Sequence, residues 1–425
     1  MYYIAGLLKK CFLYKKSLFL EVTEIIMLVG IVGKPSCGKS TFLNALTMVN
    51  AKVGDYPFTT VDPNRGTAYV RSTCVCKDLG VEDNPKNSLC KDGIRYLPVQ
   101  FLDVAGLVPG ASEGRGLGNK FLDELRQADV LLHVVDTSGS LDAEGNQVDK
   151  GSWNPLNDIK FLEEEIDAWI KAIVSRDYAT MKKKASAEKI RFSFLLHEKL
   201  TGLAIKKHTI EASIREIGLI DDDANTWDDK LDDLITTIRR KSKPIIIIAN
   251  KIDQPTSNKN FLKMKEELDE DIFPASALAE VFLRTEEENA TISYIPGDPG
   301  FKILNQEKLG EKKVQLLERI NTDLLQKYGS SGIQEILSHV VFNLFNMIVV
   351  FPVEDATKFT DKSGNVLPDA YLVPQGTTAK EFAGKVHTDF AKHFIHGTLA
   401  PSGRRVGADY ELQNNDIIKI VSAVK

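Results

Sequence analysis

The chain reads LVGIVGKPSCGKSTFLNALT from Leu28 to Thr47. The apolar run at its start predicts a buried strand, and the segment from Thr41 to Val49 predicts a helix. The turn between them has the glycine spacing, followed by Lys-Ser, of a phosphate-binding loop. Strand, glycine-rich turn and helix in this order predict a site for nucleotide phosphates.

The chemistry of this loop follows from its residue types. Glycines let backbone N–H groups converge on phosphate oxygens, and the helix N-terminus adds a partial positive charge. Lys39 is expected to reach the β- and γ-phosphates, and the Ser40 hydroxyl to ligate Mg²⁺. The alternative is an ordinary strand–turn–helix corner, which seldom needs two glycines with Lys-Ser. The predicted phosphate-binding residues are Gly33, Lys34, Pro35, Ser36, Cys37, Gly38, Lys39, Ser40 and Thr41.

Two further segments are expected to meet the γ-phosphate and the metal. Asp103-Val-Ala-Gly106 closes a second apolar strand, so its carboxylate can hold Mg²⁺ through water and the Gly106 amide can contact a γ-phosphate. Thr60, with Thr59 as the alternative, can complete the Mg²⁺ shell. Segments 54–64 and 106–120 are expected to order with the γ-phosphate. The predicted catalytic residues are Lys39, Thr60 and Gly106, and the predicted metal residues are Ser40, Thr60 and Asp103.

The base-reading residues follow an Ile-rich strand. Asn250-Lys-Ile-Asp253 supplies a carboxylate that can accept hydrogen bonds from guanine N1–H and its exocyclic amine, which adenine lacks. Asn250 can support N7, and the stem of Lys251 can cover the base. Ser276 and Ala277 supply a second loop at the base edge. These loops, placed after the phosphate loop and the DxxG segment, predict a GTP-binding protein.

Composition excludes several classes of protein. The 425 residues are 43% hydrophobic and 27% charged, which rules out a disordered chain, a collagen and a disulfide scaffold. A net charge of −5 provides no overall attraction to nucleic acid, so any such contact needs a local patch. Residues 180–208 carry eight Lys/Arg against two Glu. These basic residues form either a functional patch or simply a charged face in contact with solvent, and the sequence favours neither.

The cysteines indicate a reducing compartment, since all five lie within the first 90 residues and their number is odd. Cys74, Cys76 and Cys90 supply three of the four ligands that structural zinc requires. No histidine lies nearby and no fourth ligand is evident, so we expect reduced structural thiols. His133 lies within an apolar strand pattern and is interpreted as a structural histidine.

The pattern of apolar runs divides the chain. Residues 27–145 and 241–345 alternate strands and helices, which predicts a largely parallel sheet with helices on both faces. Residues 146–240 predict a helical insertion, with a coiled-coil-like hairpin as one form. Residues 346–425 predict a small α+β domain.

Residues 1–26 are basic and apolar. The segment is too short and too charged to span a bilayer, so we place it outside the fold. The alternative is an anchor on the membrane surface.

The strings GKPSCGKSTFLNALT, YPFTTVDPN, DVAGLVPGASEGRGLGNKFL and NKID resemble those of the Obg-related translational GTPases. The match is nearest to the YchF / Obg-like ATPase branch in its archaeal form, and the C-terminal segment resembles a TGS domain. The resemblance covers about residues 27–425. It implies an α/β P-loop NTPase (G domain) with a mostly parallel sheet, an α-helical insertion and a C-terminal α+β β-grasp domain.

The resemblance also implies an activity and partners. We expect a cytoplasmic, monomeric, Mg²⁺-dependent GTPase of slow turnover that binds the ribosome or ribosomal RNA, without membrane contact. An exchange or activating factor is a candidate second partner. Residues 180–208 could supply phosphate contacts. Further candidates lie near the C-terminus, namely Lys380, Lys385, His393, Arg404 and Arg405.

Departures from the family pattern sharpen these expectations. Many YchF proteins replace the Lys and Asp of NKxD and accept ATP, whereas this chain keeps both, which favours GTP. Leu107 stands where Ras-like enzymes carry the water-orienting glutamine. Ser36 replaces the Asn that ligates potassium in cation-activated members, which argues against potassium activation. The alternatives are an ATPase of the same fold and a nucleotide-gated RNA-binding module with incidental turnover; a P-loop kinase does not explain NKxD.

Overall fold

A mostly parallel sheet carries the phosphate loop, in a computed structural model that describes residues 27–47, 65–104 and 124–423. Its strands are β1 (Leu28–Val32), β2 (Arg65–Thr73), β3 (Leu89–Lys91), β4 (Ile94–Asp103), β5 (Val130–Asp136), β6 (Ile245–Asn250) and β7 (Ile272–Pro274). The order is β2-β4-β1-β5-β6-β7, with β3 also paired to β4. Strands β1, β4, β5, β6 and β7 are parallel, whereas β2 and β3 run antiparallel to β4. The parallel strands therefore end at one edge of the sheet.

Strand alternation separates the two faces of this sheet. Val29 and Ile31 of β1 face a core that includes α1 (Lys39–Leu46), and α2 (Cys76–Leu79) lies beside the same core. Leu28 and Val32 face the opposite side. Successive side chains of a strand point to opposite faces, so each face packs against its own layer of helices.

The helical segment lies on the second face. Its helices are α3 (Leu156–Ser175), α4 (Tyr178–Glu188), α5 (Phe192–Leu200), α6 (Lys207–Glu216) and α7 (Leu231–Ser242), with short 3₁₀ turns at Thr201–Leu203, Ala224–Thr226 and Asp228–Lys230. Phe192 and Trp227 stack at its centre with ring centroids 3.9 Å apart. Five helices around a common apolar core replace the coiled-coil-like hairpin, which was wrong because apolar residues lie on all of them rather than on two long seams.

The chain then returns to the sheet and continues in further helices. These elements are α8 (Ser257–Glu267), α9 (Ala277–Glu288), β8 (Ile292–Tyr294), β9 (Phe301–Ile303), α10 (Gln306–Leu309), α11 (Glu311–Ile320), α12 (Gln326–Tyr328) and α13 (Ile333–Ser338), with π-helical turns at Asn321–Leu325 and His339–Leu344. Strands β8 and β9 form a separate antiparallel pair. Ile333 and Ile336 of α13 pack on the same face of the sheet as Phe42 of α1.

The C-terminal part is a second, five-stranded sheet. It contains β10 (Met347–Val353), β11 (Tyr371–Pro374), β12 (Phe394–Ala400), β13 (Arg404–Val406) and β14 (Asp416–Ser422) in the order β11-β10-β14-β12-β13, with α14 (Ala379–Val386) and α15 (Thr388–Lys392). The sequence pattern from Thr378 to His393 predicts one helix, but the structure has two, because His387 is extended at φ −159° and ψ 132°. The sequence pattern predicts three strands here, at Ile348–Phe351, Tyr371–Val373 and Ile417–Val421, which correspond to β10, β11 and β14. It missed β13 and also β12, whose His396 and Gly397 interrupt the apolar alternation.

The predicted strands of the first sheet are present, with shifted limits. The apolar run from Leu97 to Val104 predicts a strand, which the structure has as β4; it begins three residues earlier and ends at Asp103. Helix α1 ends at Leu46 because Thr47 is extended at φ −83° and ψ 134°. None of the helices in the described ranges has the length and apolar character of a transmembrane span. The predictions for residues 1–26 lie outside the described residues.

Candidate nucleotide site

The phosphate loop leaves the carboxyl end of β1 through two left-handed residues. Ser36 has φ 63° and Gly38 has φ 99°. A Cβ on Gly38 would lie 2.4 Å from Nδ2 of Asn250, so no side chain fits there. Cys37 is buried, and burial raises the pKa of its thiol to about 11, which keeps it neutral. Pro35 and Ser36 are exposed and Thr41 is half-buried. The left-handed turn at Gly38 opens directly into helix α1.

Lys39 points to the end of the neighbouring strand. Its Nζ donates to the carbonyl of Val104 at 2.5 Å and lies 2.9 Å from Oδ1 of Asp103. Ser40 follows it and is exposed. The Ser40 hydroxyl and the Asp103 carboxylate are hard oxygen ligands of the kind that Mg²⁺ prefers. The other predicted residues of this region, Thr59, Thr60, Gly106 and Leu107 with segments 54–64 and 106–120, lie outside the described residues.

Asn250 joins the phosphate loop to the base-reading loops. Its Nδ2 donates to the carbonyl of Cys37 at 3.0 Å, and its Oδ1 accepts from the Ala277 amide at 3.2 Å. Because the side chain is buried, these bonds are shielded from water and tie three chain segments together. The side-chain amide therefore braces the site, and the second proton of Nδ2 stays a predicted donor to N7 of the base.

Asp253 is held by Ser276 in the second base loop. The hydroxyl of Ser276 donates to Oδ1 of Asp253 at 2.6 Å, and Nε2 of Gln254 donates to Oδ2 at 2.8 Å. Ser276 also accepts from the Ala279 amide at the start of α9. A carboxylate oriented by neighbours on both oxygens and still partly exposed is ready to accept further hydrogen bonds from a ligand.

Lys251 adopts a left-handed conformation, with φ 61°, at the same edge. Its Nζ donates to Oδ2 of Asp136 at 3.1 Å and to the carbonyl of Ser36 at 3.3 Å. Burial acts to raise the pKa of Asp136, but hydrogen bonds from Ser138 and the charge of Lys251 outweigh it and lower that pKa below its ordinary value. The sequence prediction omitted Asp136. Its signal was a carboxylate at the carboxyl end of an apolar strand, in HVVDTSG.

Lys34 does not point into the phosphate loop. Its Nζ donates to the Leu141 carbonyl at 3.0 Å and forms an ion pair with Asp158 at 2.8 Å. A cavity of about 160 Å³ adjoins this pair. It is lined by Gly33, Lys34, His133, Ala143, Trp153, Asn157, Asp158, Phe161 and Leu162. His133 is buried, and burial with the charge of Lys34 lowers its pKa to about 3, in keeping with the structural role predicted for it.

Comparisons with known proteins match three parts of the chain. A family model described as "50S ribosome-binding GTPase" matches residues 28–175. One described as "Obg-like GTPase YGR210-like, G4 motif-containing domain" matches residues 248–355, and a TGS domain model matches residues 359–422. Together they cover the phosphate loop, the base-reading loops and most of the C-terminal sheet.

Whole-length relatives agree with these matches. The "Uncharacterized GTP-binding protein MJ1332" of Methanocaldococcus jannaschii is 48% identical, covering 94% of this chain and 100% of that protein. The "Ribosome-binding ATPase YchF" of Bacillus subtilis is 28% identical over 92% of this chain and 97% of that protein. A solved "GTP binding protein" from Pyrococcus horikoshii OT3 superposes with TM-score 0.70 at 35% identity, over 93% of this chain and 100% of that one. The fold of the Schizosaccharomyces pombe YchF GTPase is also similar, with TM-score 0.56 at 20% identity, over 93% and 98% of the two chains.

Proposed function

Since the chain belongs to the Obg-like (YchF) family of GTP-binding proteins, we propose that it binds GTP with Mg²⁺ and hydrolyses it slowly to GDP and phosphate. The observation that carries this proposal is the oriented carboxylate of Asp253, 2.6 Å from the Ser276 hydroxyl. Guanine offers two donors to such a carboxylate, N1–H and the exocyclic amine, whereas adenine does not. The distinction between guanine and adenine matters because a relative is named as an ATPase.

The residues around the phosphates act by position and charge. Lys39 exchanges its contacts with Asp103 and Val104 for the β- and γ-phosphates. Ser40 and Asp103 would hold Mg²⁺, Asp103 through water, and the ion would neutralise phosphate charge. Phosphoryl transfer needs little covalent chemistry from the protein, so positioning and neutralisation account for most of the rate. Thr60 and Gly106 remain proposed contacts to the metal and the γ-phosphate, and segments 54–64 and 106–120 remain the proposed switches.

We propose that GTP binding and hydrolysis control binding of this protein to the ribosome or its RNA. The description of the family model and the name of the Bacillus subtilis relative support a ribosomal partner. In this chain residues 180–208 present exposed basic side chains that include Lys183, Lys184, Lys189, Arg191, Lys206 and Lys207. Lys182 is engaged with Asp228 at 2.6 Å, so it contributes less to such a patch. The domain limits 27–145 with 241–345, 146–240 and 346–425 remain part of this proposal.

Calorimetric titration with GDP and ADP, in the presence of Mg²⁺, tests the nucleotide. Tight GDP binding and weak ADP binding are expected, with GDP affinity lost in Asp253→Ala. Asp269→Ala is the matched control, because it removes an exposed carboxylate that takes no part in the nucleotide site. ADP binding equal to or better than GDP binding would assign an ATPase of the same fold. Retained partner binding by Lys39→Ala and Thr60→Ala would instead assign a binding module with incidental turnover.

A further inference from the structure

Three cysteines and one aspartate converge beside the antiparallel edge of the first sheet. Cys74 follows β2, Cys76 begins α2 and Cys90 lies in β3. The loop between α2 and β3 adds Asp83. One ligand atom from each of the four residues can be chosen so that all lie within 4.8 Å of one another. These residues take no part in the nucleotide site described above, and the proposed hydrolysis does not use them.

We propose that Cys74, Cys76, Cys90 and Asp83 bind one Zn²⁺ ion in a closed, four-coordinate structural site. Zinc prefers four ligands in a tetrahedron, and Zn–S bonds of about 2.3 Å place bound sulfurs roughly 3.8 Å apart. Sγ of Cys76 lies 3.9 Å from Sγ of Cys90, and Sγ of Cys74 lies 3.2 Å from Oδ2 of Asp83. The cluster is therefore close to the required spacing, and only small side-chain movements would complete the tetrahedron.

The structure supplies a candidate fourth ligand, which the sequence analysis did not find. Asp83 lies outside any Cys/His spacing, and a lone aspartate in a polar loop carries no zinc signal. Folding of the loop brings its carboxylate to the three sulfurs. Binding replaces the three thiol protons with the metal and releases them to solvent, so affinity will fall at acidic pH.

A buried arginine orients the proposed carboxylate ligand. Arg95 is 0% exposed, and its guanidinium donates to Oδ2 of Asp83 at 2.8 Å and to the Leu367 carbonyl at 2.5 Å. Partners of this kind fix the direction of a ligating group and typically change metal affinity by about 10–100-fold when removed. The positive charge also offsets the excess negative charge of three thiolates and a carboxylate around one divalent ion.

The cysteine loop, residues 74–90, also contacts the C-terminal domain. The amides of Asn84 and Lys86 donate to the carbonyls of Val366 and Pro368 at 2.8 and 2.7 Å. Nδ2 of Asn87 donates to the Ala370 carbonyl at 3.0 Å. Zinc in this loop would hold those three donors in place, so it would fix the loop against the TGS domain.

The test begins with the full chain purified without chelator. Elemental analysis is expected to find about one zinc per chain, and Co²⁺ added after chelation should give the charge-transfer absorption of cobalt–thiolate bonds. Cys76→Ser should lose the metal, and Asp83→Asn should lower Zn²⁺ affinity at least tenfold. Asp78→Asn is the matched control, because Asp78 is an exposed carboxylate on the same short helix and should retain wild-type affinity.

A second measurement uses the wild-type chain alone, so it still tests the proposal if a variant fails to fold. Chelation of the wild-type chain should increase hydrogen–deuterium exchange in residues 359–370, and Zn²⁺ should reverse it. A protein that contains no metal, takes up no Co²⁺ and titrates Cys74, Cys76 and Cys90 as free thiols would overturn the proposal. So would a Cys76–Cys90 disulfide found by mass spectrometry in protein kept under reducing conditions.

Discussion

The amine of Lys34 in the phosphate loop lies 2.8 Å from Oδ2 and 3.0 Å from Oδ1 of Asp158, the third residue of helix α3. Both side chains are buried, at 8% and 7% exposure, and Nε1 of Trp153 donates to the same carboxylate at 3.0 Å. This pair is a direct link from the proposed nucleotide site to the first helix of the helical segment. A change in the phosphate loop on nucleotide binding would reach α3 through it.

Breaking this pair from one side should destabilise the fold. Burial raises the pKa of Asp158 although the Lys34 charge opposes it, so the carboxylate depends on its partner. Asp158→Asn leaves the Lys34 charge buried without a counter-ion, and removal of one partner from a buried pair typically costs about 3–5 kcal/mol of unfolding free energy. Urea denaturation measures the loss.

The control is an exposed pair on the same helix. Lys171 of α3 pairs with Asp232 of α7, and the two side chains are 45% and 74% exposed. Asp232→Asn should therefore cost less than about 1 kcal/mol. The double variant Lys34→Met/Asp158→Leu should be more stable than Asp158→Asn, because no charge stays buried. Equal losses for Asp158→Asn and Asp232→Asn would contradict the buried-pair interpretation.

Ser276 should affect guanine binding through Asp253. Ser276→Ala removes the hydroxyl that holds Oδ1 of Asp253, and a hydrogen bond to a charged group contributes roughly 1.5–3 kcal/mol. GDP affinity measured by calorimetry is expected to fall at least tenfold, but by less than in Asp253→Ala. ADP affinity should not change. A similar loss for both nucleotides would mean that Ser276 acts on the fold rather than on base selection.

Asp103 should set the magnesium requirement of hydrolysis. Asp103→Asn keeps the size of the side chain but removes the charge, and outer-sphere partners of a metal usually change its affinity about 10–100-fold. The Mg²⁺ concentration for half-maximal GTP hydrolysis is expected to rise by that factor in a magnesium titration. Asp129→Asn is a control at the start of another strand, where Asp129 Oδ2 accepts from the Leu28 amide. An unchanged magnesium requirement in Asp103→Asn would remove Asp103 from the metal site.

His133 should make the protein sensitive to acid. Its pKa is lowered from about 6.5 to about 3 by burial and by the charge of Lys34, so the folded protein keeps the ring neutral. An unfolded chain binds the proton as pH falls below about 6.5, so stability is present above that pH and is lost progressively toward pH 3. Between about pH 7.5 and 5.5 the loss from this residue is roughly 1.4 kcal/mol.

The variant His133→Gln tests this expectation, because it cannot be protonated. Urea denaturation gives the unfolding free energy at pH 7.5 and at pH 5.5. The fall between these two pH values should be smaller in His133→Gln than in the wild type by roughly 1.4 kcal/mol. Other groups titrate equally in both proteins, so they cancel in the difference. The same fall in both proteins would show that His133 is not responsible.

Charge reversal on helix α4 tests the proposed ribosomal patch. Lys183 and Lys184 are exposed, and their replacement by Glu should weaken co-sedimentation with ribosomes and reduce its dependence on salt. The double variant Lys259→Glu/Lys263→Glu is the matched control, since it makes the same change of charge on exposed positions of α8. Equal co-sedimentation of both variants at low and moderate salt would exclude α4 from the interface.

Family and fold class were predictable from sequence, and both predictions are confirmed. The signals are local: Gly33-Lys-Pro-Ser-Cys-Gly-Lys-Ser40 lies within one strand–turn–helix unit, and Asn250-Lys-Ile-Asp253 follows one apolar strand. The architecture of the helical segment was harder to predict from the sequence. Its apolar spacing indicates helices but does not say how many pack together, because that depends on contacts between them.

The sequence by itself determined which residues could contact a nucleotide, because the spacing of a phosphate loop and the order of its partner loops are properties of the chain. Only the tertiary structure decided where several of those side chains point. Lys34 belongs to the phosphate loop by sequence, yet its amine is held by Asp158, 124 residues away. Asp83 carries no metal signal by sequence, yet it meets three sulfurs. Burial explains both positions, since the buried charges of Lys34 and Arg95 each need a carboxylate partner wherever the fold provides one.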